Sequence, residues 1–221
     1  MFSTTDHRQV AWDIETTGFG YDDYVTAMGF WWPDGHADLL CNIRGDEAAV
    51  ERYETQLSEA ADIPVRVTPV EDETELLRAA TRVVFDRFDR ERNRLIAFNA
   101  DSWKGGFDLP FLRTRCLVRD VDWPFGGVQF ADLWEPIKKR MNTTEITPGG
   151  SSADTNDLTG THGLLFGRSE VSPSVLEEVP DDHTWHGERR YDPFEDSGSA
   201  VIRHREGDHL DVLRHNLADV H

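Results

Sequence analysis

Four acidic residues stand where burial is expected, and in a chain with 42 Asp and Glu only such positions are informative. Asp13 and Glu15 close the apolar run VAWDIE. Alternation along a strand puts residues i and i+2 on one face, so these carboxylates repel each other unless something cationic sits between them. Thr16, Thr17 and Gly18 follow at once and allow a tight turn beside the pair. A frayed strand end with its acids in water fits the same residues. Asp108, in GGFDLPFLRTRC, precedes a strongly apolar helix, and an N-cap aspartate is its alternative reading. His215 and Asp219, in DVLRHNLADV, stand at i and i+4 and share a helix face, where a surface His–Asp pair is the plainer account.

Such residues need elements to hold them. Residues 8–14, 24–32 and 36–44 read as three strands joined by short turns, which suggests an antiparallel meander. The period then changes. Residues 46–61 read as a helix, 63–67 as a short strand, and 71–92 as an amphipathic helix with Leu76, Leu77, Ala80, Val83, Val84 and Phe88 at helical spacing. Residues 95–98 form a buried strand, 108–118 a helix that tolerates Pro110 in its first turn, and 128–133 the last strand. Residues 194–206 and 208–221 close the chain as two helices. The expectation is a single domain over 1–221, an α/β mixed sheet of three antiparallel strands then parallel strands, flanked by helices. Loop insertions are expected near 100–106, 142–156 and 169–193.

Taken together, the motifs resemble the DEDD superfamily of 3′–5′ exonucleases, on the ribonuclease H-like fold. The first motif, D-x-E, corresponds to Asp13 and Glu15, followed by TTG. The second, an Asn-bearing strand end and then F-D, corresponds to Asn99, Phe107 and Asp108. The third, a helix with Tyr or His before a final Asp, corresponds to His215 and Asp219. FADLWEPI, NDLTGTHGLLFG and the two closing helices extend the likeness in order over nearly the whole chain. Two departures stand out. DSWKGG lengthens the gap between Asn99 and Phe107, with Trp103 and Lys104 at the tip of the extra loop. The third motif, H-x-x-x-D, has the tyrosine-type spacing with histidine in the tyrosine place.

The resemblance implies two divalent ions, Mg²⁺ or Mn²⁺, held by Asp13, Glu15, Asp108 and Asp219, with Asp13 bridging. Hard ions of this kind prefer carboxylate oxygen, and a pair of them about 3.5–4 Å apart can generate the nucleophile and stabilise the leaving oxygen in phosphodiester hydrolysis. It also implies that His215 orients or deprotonates the attacking water. The implied substrate is the 3′ end of nucleic acid, single-stranded DNA ahead of RNA, and a polymerase or repair factor is a conceivable protein partner. An RNA exonuclease, an endonuclease with the same site, and a non-catalytic nucleic-acid-binding or scaffold module are the alternatives. Substrate-holding candidates are Thr16, Thr17, Gly18, Phe19, Tyr21, Asn99, Trp103, Lys104 and Phe107, with Arg113 and Arg115 for backbone phosphates.

Composition bounds the rest. The chain has 221 residues and a formal charge of −19, so nucleic acid would have to be held by stacking and ions rather than by a basic face. Of 23 basic residues only Lys104, Lys138 and Lys139 are lysines. A surface rich in Asp and nearly free of Lys is expected of a protein working in concentrated salt, from a haloarchaeal or haloviral source. No apolar stretch is long enough to cross a bilayer, the N-terminal residues lack a secretory pattern, and Cys41 and Cys116 lie in apolar runs. These features exclude a disulfide scaffold and point to a reducing cytoplasm. His183 and His186, in HTWH, have no third ligand at a metal-site spacing.

Overall fold

The computed structural model describes residues 8–43, 47–101, 107–141, 144–146, 152–154, 158, 161, 192–194 and 198–221. Two compact units are present, one of residues 1–132 with 191–221 and one of residues 133–190.

The larger unit is built on a mixed six-stranded sheet in the order β4-β3-β2-β1-β5-β6. Its strands are β1 (Arg8–Thr16), β2 (Val25–Trp32), β3 (His36–Asn42), β4 (Val65–Val70), β5 (Asn93–Ala97) and β6 (Gln129–Asp132). β2 is antiparallel to both β1 and β3, whereas β3–β4, β1–β5 and β5–β6 are parallel. Five strands therefore run one way and only β2 opposes them. From β1 the chain builds outward through β2, β3 and β4, then returns to place β5 on the other flank of β1. That reversal makes the carboxyl ends of β1 and β5 the topological switch point, where open α/β sheets leave a crevice.

Helices cover both faces: α1 (Val50–Ala61, after a 3₁₀ turn at Glu47–Ala49), α2 (Glu73–Arg87), α3 (Asp108–Arg119), α5 (Gly198–Glu206) and α6 (His209–Val220), with α4 (Trp134–Arg140) in the smaller unit. Strand alternation sorts β1 between two cores. Val10, Trp12 and Ile14 pack with Leu76, Leu77 and Val84 of α2 and with Leu109 and Leu112 of α3. On the other face Ala27, Leu39 and Cys41 pack with Tyr53 and Leu57 of α1 and with Val212, Leu213, Leu217 and Val220 of α6. Asp13 and Glu15 alternate with Trp12 and Ile14, so they turn toward α6.

Several boundaries differ from the sequence expectation for local reasons. β4 runs on through Pro69, which pairs in register with Cys41; as the edge strand it tolerates a missing N–H. α2 begins at Glu73 because Asp72 caps it, its carboxylate accepting from Glu75 N–H at 2.9 Å, and Phe88 turns extended at its end. In the smaller unit, residues expected as loop contain an antiparallel pair, β7 (Thr144–Ile146) with β8 (Ser152–Asp154). The β-branched Thr144 and Ile146 favour an extended backbone there. Cys41 and Cys116 are free and buried, and burial pushes their thiols up to about 12 and about 11. Among the described residues no helix is long and apolar enough to cross a membrane.

Candidate metal centre

The end of β1 and the last helix meet at the expected acidic residues. Asp13 faces Gly29 across the β1–β2 pair, and Asn216 of α6 fills the space above that glycine. Any Cβ at position 29 would collide with Asn216 Oδ1. The amide held in this slot donates from Nδ2 to Asp13 Oδ2 at 3.0 Å. Neither Gly29 nor Asn216 was marked by sequence reasoning, although Asn216 sits beside His215 on a helix already singled out.

His215 is 5 % exposed and locked at both sides of its ring. Its Nδ1 lies 2.8 Å from Asp192 Oδ1, and since a carboxylate can only accept, Nδ1 carries the proton. Phe194 packs edge-on at 5.3 Å between ring centroids. The free face, Nε2, points at Asp219 Oδ2 (3.7 Å) and Glu15 Oε1 (3.9 Å). Ligand atoms of Glu15, His215 and Asp219 all lie within 4.8 Å of one another. Asp192 is a third residue missed from sequence, because it falls in a Pro-flanked acidic stretch with no periodicity to mark it.

Asp108 is the first residue of α3, not its cap; Phe107 takes the cap position and makes no side-chain cap bond. The capping alternative for Asp108 therefore falls away. Instead burial, Asp132 and Asp219 push its carboxyl up to about 8. Burial, followed by Asp219, Glu15 and Asp108, raises Asp13 well above the carboxylate range. Glu15 is raised in the same way, by burial and then by Asp219. For His215 burial works against the charged form, but the bond to Asp192 and the charges of Asp219, Asp192 and Asp13 overcome it and raise the imidazole. Asp13, Glu15 and Asp108 thus share a region too poor in positive charge for all three to ionise readily.

Asn99 follows β5 with a left-handed backbone (φ 64°). Its N–H donates to Asp132 Oδ1 at 2.9 Å, and Asp101 N–H donates to Asp132 Oδ2 at 3.0 Å, so Asp132 shapes this corner. The Asn99 side-chain oxygen is buried without a hydrogen bond.

The turn after β1 is braced from within. Thr17 Oγ1 donates to Asp23 Oδ1 (2.9 Å) and accepts from Tyr24 N–H (3.1 Å), while Gly20 N–H donates to Asp23 Oδ2 (2.7 Å). Thr16 Oγ1 donates to Gly18 O at 2.9 Å. Gly18 has φ +152°, and a Cβ there would lie 2.7 Å from Asp23 Oδ2. The braced turn presents Phe19 and Tyr21 at 69 % and 71 % exposure, and Phe19 meets Phe107 edge-on at 4.9 Å. An open groove runs between them, floored by Pro110 and Phe111.

Arg115 does not reach outward as the sequence suggested. It is 4 % exposed and chelates Glu73, Nε to Oε1 at 2.8 Å and Nη2 to Oε2 at 2.7 Å. Its Nη1 donates to Tyr21 O at 3.0 Å, so it clamps the turn from beneath. Arg113 lies over the Trp123 ring at 4.9 Å. Trp103 and Lys104, the proposed tip of the inserted loop, lie outside the described residues, as do His183 and His186. In comparisons with known proteins, the chain matches no protein-family model and no curated protein.

Proposed function

We propose that the chain is a two-metal-ion-dependent 3′–5′ exonuclease of the DEDD kind, on a ribonuclease H-like fold, acting on single-stranded DNA. One observation carries the reading. Asp13, Glu15, Asp108 and Asp219, from both ends and the middle of the chain, oppose one another's ionisation at the carboxyl end of β1. Such a cluster is costly unless cations enter it. The donor set fits them: carboxylate oxygens suit Mg²⁺ or Mn²⁺, and Glu15 Oε1 and His215 Nε2 are buried without hydrogen bonds. Two bound ions supply an activated water and neutralise charge on the scissile phosphate.

The chain's own side chains do the rest. Asn216 fixes the Asp13 carboxylate, Asp192 fixes the His215 ring, and the braced turn holds Phe19 and Tyr21 beside Phe107 as a stacking surface. Stacking is worth roughly 1–3 kcal/mol per base and survives high salt better than phosphate contacts do. That suits a −19 chain whose composition fits concentrated salt. Two buried free thiols suit a reducing compartment such as the cytoplasm.

The test is a 5′-labelled single-stranded oligonucleotide incubated with Mn²⁺ or Mg²⁺ in molar KCl and resolved on a denaturing gel. A ladder shortening from the 3′ end, absent with EDTA and with Asp13→Ala, is expected. An intact band across DNA and RNA substrates, both metals and several salt concentrations would falsify the proposal.

A further inference from the structure

We infer that His215 is a metal ligand and not the base: through Nε2 it joins Glu15 and Asp219 in binding one divalent ion, and the site so formed prefers a first-row transition ion such as Mn²⁺ to Mg²⁺. The inference rests on the metal-centre reading above and changes the role that the motif resemblance gives this histidine.

The geometry supports a ligand in three ways. First, Nε2 is buried and makes no hydrogen bond, and Glu15 Oε1 beside it is in the same condition. Second, separations of 3.7 Å to Asp219 and 3.9 Å to Glu15 are too long for hydrogen bonds. They fall within the roughly 3.0–4.2 Å that separates two donors sharing an octahedral ion with bonds of about 2.1 Å. Third, the other ring nitrogen is tied to a carboxylate, Asp192, at 2.8 Å. Metal-bound histidines are held in this way, because the second bond fixes the tautomer and turns the lone pair toward the ion. Asp192 is thus a positioning residue, its side chain 7 % exposed and anchored by its neighbour's backbone, Phe194 N–H to Asp192 Oδ1 at 3.1 Å.

Selectivity follows from the donor set. Mg²⁺ dehydrates reluctantly and is served by oxygen, whereas an imidazole nitrogen favours transition ions. A ring wedged between Asp192 and Phe194 cannot swing aside to leave an all-oxygen site.

The test uses untagged full-length protein with substoichiometric Mn²⁺ and no nucleic acid. Pulsed electron paramagnetic resonance should detect a directly coordinated ¹⁴N. The signal should vanish in His215→Gln, with Mn²⁺ affinity by calorimetry falling more than Mg²⁺ affinity. Asp192→Asn should lower Mn²⁺ affinity by roughly 10–100-fold, the usual effect of removing such a support. Bound Mn²⁺ without nitrogen coupling overturns the inference, as does coupling that persists in His215→Gln or an absence of Mn²⁺ binding. The gel assay separates this from the functional reading. Cleavage with no nitrogen coupling refutes the ligand role alone, and nitrogen coupling with no cleavage refutes the nuclease alone.

Discussion

Replacing Glu15 by Gln should stabilise the metal-free protein and weaken its response to metal. Glu15 and Asp219 present ligand atoms within 4.8 Å of each other. With both ionised and an effective dielectric constant near 20, the repulsion is about 3 kcal/mol. Proton uptake by the cluster relieves part of that, so the realised gain is on the order of 1–3 kcal/mol, or roughly 2–12 °C in Tm for a chain of this size. Glutamine breaks no bond at Oε1, which makes none. The pH dependence has a definite sign. Carboxyls raised in the folded state contribute stability that is complete below their unfolded value near 4 and is lost as pH rises through their folded values. For Asp108 that value is about 8. The metal-free Tm should therefore fall across this window, and the gap between wild type and Glu15→Gln should widen toward its upper end. Divalent metal at about 100 times its Kd stabilises by about 2.7 kcal/mol, and each tenfold loss of affinity removes about 1.4. Scanning fluorimetry of both proteins at pH 5 and pH 8, with EDTA and with Mn²⁺, reads all of this. A lower metal-free Tm for Glu15→Gln, or equal metal-induced shifts in the two proteins, would show that Glu15 neither repels Asp219 nor holds the ion.

Arg115→Met should leave buried Glu73 with Arg119 as its remaining charged partner, costing about 3 kcal/mol, the low end for a broken buried pair, and roughly 6–12 °C in Tm by calorimetry, with the Glu73→Gln/Arg115→Met double variant recovering part of it. Burial raises Glu73, but its bonds to Arg115, Val25 N–H and Arg119 prevail and lower it. Its contribution should therefore persist above the unfolded value near 4.3 and be lost as pH falls through the lower folded value, an acid-side loss that urea midpoints should detect and that Glu73→Gln should abolish. Phe19→Ala should raise KM for a single-stranded substrate roughly 5–150-fold with kcat little changed, read by steady-state cleavage, because Phe19 offers a largely exposed ring beside the groove. Gly29→Ala should push Asn216 off Asp13 and cost about 1–3 kcal/mol in urea denaturation.

What the sequence made legible was whatever obeys a period. Strand alternation put Asp13 and Glu15 on one face, and a helix turn put His215 and Asp219 on one face; the structure brings the two faces together. What it hid was whatever depends on a partner far away in the chain. Gly29 reads as an ordinary small residue in an apolar strand until Asn216 occupies the space its side chain would fill. Asp192 and Asp132 look like two more acids in an acidic chain until the groups they accept from are known. Arg115 misled for the same reason, since nothing local says that Glu73, 42 positions away, is buried opposite it. The strand read over 63–67 in fact runs on through Pro69 to Val70, because an edge position, which excuses a proline, is a property of the finished sheet.

The last helix ties these cases to one physical event. Val212, Leu213, Leu217 and Val220 of α6 complete the core against β2, β3 and α1, while His215, Asn216 and Asp219 deliver the polar centre from the neighbouring turns of the same helix. Docking the apolar stripe therefore brings Asp219 onto Asp13 and Glu15, and hydrophobic burial must offset the repulsion among these carboxylates until cations arrive. In the metal-free protein α6 should be the element whose amides exchange first and whose protection rises most on adding Mn²⁺. Protection that rises instead in α2, on the opposite face of the sheet, would mean that the ion binds elsewhere. The same experiment on Asp219→Asn removes the helix's own carboxylate without touching its apolar stripe. That variant should protect α6 better without metal and gain less protection with it.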